Sequence, residues 1–134
     1  MARSSRPNVV DSSAWLAYFA DEAGADHFAG AIEDTAALVV PAICLLEVFK
    51  VIARQRDEGA ALQAIALMQQ GRVVDVDATL ALAAAKAGID HKLPLADSIV
   101  YATAGQVDGV VWTQDEDFDG LGDVRFFPKK KRAQ

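Results

Sequence analysis

The sequence of 134 residues contains one cysteine, Cys44, and two histidines, His27 and His91. A lone thiol closes no internal disulfide, and two isolated imidazoles do not make a zinc site, so neither covalent staples nor a thiolate–imidazole centre is available. Also missing are any apolar run near the roughly 18 residues of a membrane span, and an apolar leader with a small-residue cleavage site. We therefore expect a chain without membrane contact, working in a reducing cytoplasm. There is no phosphate-binding GxxxxGK[ST] loop, no dinucleotide glycine fingerprint and no GxSxG elbow, which removes the main support for nucleotide-binding and acyl-transfer chemistry. No repeat or linker interrupts the chain. Its length suits one domain, placed at 1–128, followed by a short basic tail at 129–134.

What is present is an ordinary globular composition, 52% hydrophobic and 24% charged, with 19 acidic against 13 basic residues. Four of those bases, Lys129, Lys130, Lys131 and Arg132, sit together in the tail, so the body is more acidic than the total suggests. A protein that tracks phosphates through its general surface field would be basic, and this one is not. An enzyme whose acids are neutralised by metal ions remains compatible with the balance. The tail reads either as a solvated terminus or as a nucleic-acid contact, and its role is open at this stage.

The pattern predicts strands that alternate with helices. A short buried strand at Val9 and Val10 ends in Asp11, and Ser12 or Ser13 can cap a helix over Ser13 to Phe19. A second helix spans Ala25 to Asp34, and the run Ala37 to Val40 is a second strand. Pro41 then fits the first turn of a helix over Ala42 to Gln55. A helix over Ala60 to Gln70 is expected to stop at Gly71, where a glycine C-terminal signal stands. Arg72 to Val76 is a third strand, and Asp77 caps a helix over Ala78 to Ala87 that Gly88 should end. After a loop from Ile89, Pro94 opens a helix over Leu95 to Gly105. Gly109 to Thr113 reads as a fourth strand buried on both faces, and Val124 to Phe127 as a shorter last one. With almost no period-two alternation, this is an α/β domain with a mainly parallel sheet of four to five strands covered on both faces.

Four acids fall where such a sheet binds ligands, beyond the carboxyl ends of its strands. Asp11 follows the first strand, although it could equally be a helix cap alone. Glu47 lies about two turns into the helix after the second strand; with Lys50 and Arg54 on the same face it could instead belong to an exposed salt-bridge stripe. Asp97 sits in the first turn of its helix, where the dipole favours an acid. Asp115 and Asp117 follow the fourth strand in an Asp-rich turn. That turn begins like a calcium loop but places Phe126 where a bidentate Glu is required. Converging carboxylates are stable only when protonated or metal-bound, and an all-oxygen set suits Mg²⁺ or Mn²⁺.

In their order and spacing, VVDSSAW around Asp11, PAICLLEV around Glu47, LPLADSIVYATA around Asp97 and VVWTQDEDFDGL around Asp115 resemble the motifs of the PIN-domain nucleases, and among them the VapC-type toxins of toxin–antitoxin pairs. The resemblance covers Val9 to Phe127. It implies a three-layer α/β/α sandwich, a Mg²⁺- or Mn²⁺-dependent endoribonuclease, frequent dimerisation and inhibition by a small cognate antitoxin. Asp11, Glu47, Asp97 and Asp115 are the expected catalytic metal ligands, with Asp117 the alternative to Asp115. Ser13 and Thr113 are expected to orient a ligand carboxylate or a bound water. Lys50, Arg54 and Lys92 are candidate phosphate contacts. Trp15, Phe19, Phe49 and Ile52 could leave apolar helix surface for a homodimer. Two rivals compete: a partner-binding protein without catalysis, and a phosphate-receiving signalling domain. The latter wants an acceptor Asp after the third strand and a Lys after the last; Asp75 lies inside the third strand and no Lys follows the fourth.

Overall fold

A computed structural model of the chain describes residues 6–129; Lys130, Lys131 and Arg132 of the tail lie outside the described residues. Strand β1 (Asn8–Val10) leads into helices α1 (Ser12–Phe19) and α2 (Asp26–Glu33), and β2 (Leu38–Pro41) into α3 (Ala42–Gln55) and α4 (Glu58–Met68). Strand β3 (Arg72–Val74) leads into α5 (Ala78–His91) and α6 (Leu95–Val107). From β4 (Val110–Thr113) a single 3₁₀ turn (Glu116–Phe118) reaches β5 (Val124–Phe126). The strands form one sheet of order β3-β2-β1-β4-β5, parallel throughout.

Crossovers between parallel strands are right-handed. The steps β1→β2→β3 therefore carry α1–α4 over one face, and the return from β3 to β4 lays α5 and α6 over the other. In agreement, α2 packs on β1 and β2, and α6 on β1, β2 and β4. Central strands covered twice must be apolar on both sides, and Val9, Val10 and Val40 are fully buried beneath Trp15 and Phe28 of the first layer and Val100 of the second. Among the described residues no helix is long and apolar enough to cross a membrane.

Burial on both faces does not extend along β4. Val111 and Thr113 are fully enclosed while Val110 and Trp112 are half-buried. Arg125 of β5, paired with Trp112, lies over its ring at 5.1 Å. The apolar helix surface also differs from expectation. Trp15 and Ile52 belong to the core and Phe19 and Phe49 pack against it, whereas Leu46 and Leu62 of the first layer and Leu82, Ile89 and Leu95 of the second are exposed.

Two glycines act by size. Helix α4 ends at Met68 and Gln69 closes it in right-handed geometry, φ −72° and ψ −2°. A Cβ on Gly71 would stand 2.7 Å from Leu38 Cγ and 3.0 Å from Leu38 O, so glycine lets the turn lie against β2. Helix α5 does not stop at Gly88; it runs to His91 and closes on Lys92 in the left-handed region, φ 56°. Gly88 instead admits Ser98 Oγ, which would be 2.6 Å from a Cβ, and so brings α5 close to α6. Pro41 is likewise shifted, ending β2 opposite Val74 and capping α3 rather than entering its first turn.

Gly71→Ala is expected to cost about 1–3 kcal/mol through overpacking. Gly30→Ala, in the open interior of α2, should instead stabilise by about 0.5–1 kcal/mol from helix propensity. Thermal melts of both variants decide the matter, and an unchanged midpoint for Gly71→Ala would contradict the close approach.

Candidate metal centre

Because β1 and β4 are parallel neighbours in register, with Val10 beside Trp112, the residues just past their ends meet. Asp11 is one of these, at 3% exposure. It caps α1, taking the Ala14 N–H on Oδ1 at 3.2 Å, and the same oxygen accepts from Ser13 Oγ at 2.8 Å. Its other oxygen, Oδ2, accepts from Thr113 Oγ1 at 2.9 Å. The cap and the site are thus one carboxylate, and Ser13 serves it as a donor rather than capping the helix itself. With both hydroxyl protons directed at Asp11, the 3.3 Å approach of Ser13 Oγ to Thr113 Oγ1 is a packing contact.

Thr113 also fixes the next acid. Its Oγ1 accepts the N–H of Asp115 at 2.9 Å, and Asp115 Oδ1 in turn accepts the N–H of Asp117 at 2.9 Å, starting the 3₁₀ turn. Asp97 arrives from the opposite layer in the first turn of α6. Asp11, Asp97 and Asp115 each offer an oxygen within 4.8 Å of the others. Asp117 is exposed and stands outside this group, as does Glu47. Glu47 makes no ion pair with Lys50 or Arg54 among the described residues; its Oε1 accepts from Ser12 Oγ at 2.6 Å. Ser12, in sequence only a possible cap, adjoins Asp11 and so ties Glu47 to the start of α1.

The electrostatics are those of a crowded set of acids. Burial pushes Asp11 up to about 6, against the pull of the Ser13, Thr113 and Ala14 hydrogen bonds. Asp97 is pushed up to about 8, first by burial and then by Asp115, Asp11 and Asp117. Cys44, enclosed behind Asp11 with Sγ 3.9 Å from Val10 O, is raised far above an ordinary thiol by burial and is chemically quiet. A compact set of oxygen donors that must hold protons in order to coexist fits a hard divalent cation, which would replace those protons.

A sign follows for stability. When a carboxyl's folded pKa lies above its unfolded value, the native state binds more protons, so the stability it contributes is full in acid and is lost as pH rises through the folded value. Metal-free protein should therefore melt at progressively lower temperature as pH passes about 6 and then about 8. Saturating Mn²⁺ should flatten or reverse that slope. Melts in chelator and in Mn²⁺ from about pH 5 to about pH 9 provide the comparison; a metal-free midpoint that climbs across the window is the opposing result.

Beside the acids, and sharing Ser13 and Gln114 with them, opens a groove of about 530 Å³ between α1, α3 and α4. Leu16, Phe19, Ile52 and Leu67 give it an apolar lining, and Arg56 and Lys129 are the cations on its walls. Lys50, Arg54 and Lys92 do not line it. Arg56 does not stand out in the sequence and Lys129 does so only as part of the basic tail, since what brings them to the groove is the packing of α3 on α4 and the path of the chain after β5.

A family model for the PIN domain matches residues 9–124. Among curated proteins nothing matches the chain. Among solved structures, a toxin–antitoxin complex from Klebsiella pneumoniae superposes with a TM-score of 0.73 at 20% identity, covering 89% of this chain and 95% of the other. The sarcin–ricin loop cleaving toxin VapC20 of Mycobacterium tuberculosis gives 0.73 at 21% identity, with 87% and 96% covered. DNA-bound VapBC from Salmonella typhimurium gives 0.72 at 15%, with 94% and 100% covered. At these identities the likeness establishes the fold.

Proposed function

This chain belongs to the PIN domain family, and on that premise we propose that it is a divalent-metal-dependent endoribonuclease, the toxin of a toxin–antitoxin pair. The observation that carries the reading is the convergence of Asp11, Asp97 and Asp115 within 4.8 Å at the carboxyl edge of a parallel sheet. These three carboxylates would hold Mg²⁺ or Mn²⁺, with Glu47 completing the set from α3. When bound, the cation supplies Lewis acidity at the phosphate and lowers the pKa of a water. The chain's own groups do the positioning. Ser13 and Thr113 hold both oxygens of Asp11, Thr113 holds the backbone of Asp115, and Ser12 leaves Glu47 with one oxygen still to engage. Incubating the protein with RNA in Mn²⁺ and in chelator tests the reading; intact RNA under both conditions refutes it.

The partner reading has support beyond the family. Solved relatives of this fold include toxin–antitoxin complexes, and the apolar groove reaches Ser13, which donates to Asp11. An antitoxin segment could lay an apolar face along Leu16, Ile52 and Leu67 and insert an arginine among the carboxylates. Its affinity should then weaken as Mn²⁺ is raised, and affinity indifferent to the metal would exclude the insertion. The exposed Leu46 and Leu62 of the first helical layer and Leu82, Ile89 and Leu95 of the second support a homodimer through one of these layers. Light scattering of the free protein that returns a monomeric mass at micromolar concentration would exclude it.

A further inference from the structure

Three aromatic rings beside β4 and β5 are joined in series by stacking. Phe127 lies on His27, with centroids 4.4 Å apart and planes at 11°, and on Trp112 at 6.1 Å and 20°. The Trp112 indole is fixed by its Nε1, which donates to Asn8 Oδ1 at 3.1 Å. At the end of the series the Arg125 guanidinium lies over the Trp112 ring, 5.1 Å from its centroid. Packing accounts for the rings, since Trp112 and Phe127 both rest against the core. It does not account for the cation. Arg125 is exposed, and an exposed contact of this kind adds little to stability. Among the described residues it makes no ion pair, because Asp123, two positions before it, is taken by Arg6. In a chain of 19 acids and 13 bases, a planar cation is thus held on an indole with no acid to neutralise it.

The series adjoins the metal centre. Trp112 O accepts the Asp11 N–H at 3.1 Å, and the next residue, Thr113, holds Asp11 Oδ2. Successive side chains of a strand point to opposite faces, so Trp112 and its partner Arg125 lie across the sheet from the Thr113 hydroxyl. Gln114, on the groove beside Ser13, connects the two sides. A Cβ on Gly24 would stand 3.5 Å from Gln114 Oε1 and 3.9 Å from His27 Cδ2. A chain of contacts therefore leads from the groove edge through Gly24, His27 and Phe127 to Trp112 and Arg125.

We propose that Arg125 and Trp112 form a stacking subsite for an unpaired base of the RNA, flanking the phosphodiester held at Asp11, Asp97 and Asp115. The subsite rests on the nuclease reading for its purpose but is measured separately from it. A guanidinium seated on an indole offers its outer face to a base, and guanidinium planes and aromatic rings are the groups on which unstacked bases lie. Every base has such a face, so the subsite selects single-stranded over paired RNA without choosing a sequence. Lysine in place of Arg125 would keep the charge and lose the plane.

The test compares the full chain with and without Arg125→Lys, with Asp97→Asn added to both proteins so that the probe survives. Binding is read by anisotropy of a fluorescein-labelled single-stranded RNA oligonucleotide, of the same strand with abasic residues, and of its duplex. Arg125→Lys should weaken binding of the single strand about fivefold or more and leave the abasic strand and the duplex unaffected. The melting curves should coincide, since Arg125 is exposed. Trp112 gives a second readout: Trp15 is fully enclosed and Trp112 half-buried, so acrylamide quenching reports Trp112. The unlabelled single strand should shield it and the abasic strand should not. Equal affinity of the two proteins for the single strand, or none, would overturn the proposal. So would an equal loss with the abasic strand, which would make Arg125 a phosphate contact, and so would quenching unchanged by RNA. RNA that binds through the subsite but is never cut in Mn²⁺ by the protein with Asp97 intact would sink the nuclease reading and leave the subsite standing.

Discussion

Asp97→Asn is expected to abolish RNA cleavage, with a loss beyond the 10–100-fold that removal of a group merely supporting a metal ligand typically causes. The same variant should lose the stabilisation by Mn²⁺, which for the parent protein is about 2.7 kcal/mol at a hundred times the dissociation constant, or on the order of 10 °C in melting temperature. Its effect on metal-free protein depends on pH in a way that identifies the cause. Asp97 is pushed up to about 8, so at neutral pH it is already largely protonated and an amide changes little. Above that value the parent carries the extra charge beside Asp115 and Asp11, and the variant should be the more stable of the two. Asp119→Asn, at an exposed position just past the 3₁₀ turn, serves as the control and should alter neither cleavage nor metal response. Near-parental cleavage by Asp97→Asn would show that the three converging acids are not the active site.

Thr113→Val should be the next most damaging change, because one buried hydroxyl serves two acids. It donates to Asp11 Oδ2 and accepts the Asp115 N–H, both at 2.9 Å, from a position with no exposure. Valine keeps the shape and leaves the Asp115 N–H without its partner, at a cost of about 1–3 kcal/mol. Asp11 also loses a bond that lowers its pKa, so its carboxyl rises further above about 6. Metal must then compete with a more tightly held proton. Cleavage at neutral pH should fall about 10–100-fold, and the pH profile should shift upward so that part of the loss is recovered in alkali. A uniform loss at every pH, with unchanged Mn²⁺ affinity, would assign Thr113 to the fold alone.

The strands were legible because double burial demands continuous apolar runs, and ALVV and GVVWT announce themselves without reference to anything distant. The glycines misled for the opposite reason. At Gly71 and Gly88 the cause is a neighbour, Leu38 or Ser98, that comes close only in the folded chain, and a local stop signal looks the same on paper. In the site, the order strand–acid–hydroxyl places Asp11 and Ser13, and a helix start places Asp97. That Asp115 rather than Asp117 stands within 4.8 Å of Asp11 and Asp97 was not legible, since it goes with a hydrogen bond from the Asp115 backbone to Thr113. Ser12 was legible only as a possible cap, although the doubled serine after Asp11 carries more: a helix that presents one hydroxyl inward to Asp11 can present its neighbour to α3. Arg56 and Lys129 depend wholly on tertiary packing.

The strand order has a consequence for biosynthesis. Asn8 of β1 pairs with Val110 of β4, so the central strand, made almost first, waits for a neighbour made almost last. Contacts this distant in sequence form late, after the entropy of closing nearly the whole chain has been met. Asp11 emerges early, but Asp115 and the Thr113 that holds both acids follow more than a hundred residues behind. A nascent chain thus carries its first acid just past a strand that can be paired on one edge only, and a fragment that ends before Val110 has no assembled centre, however well its early helices form.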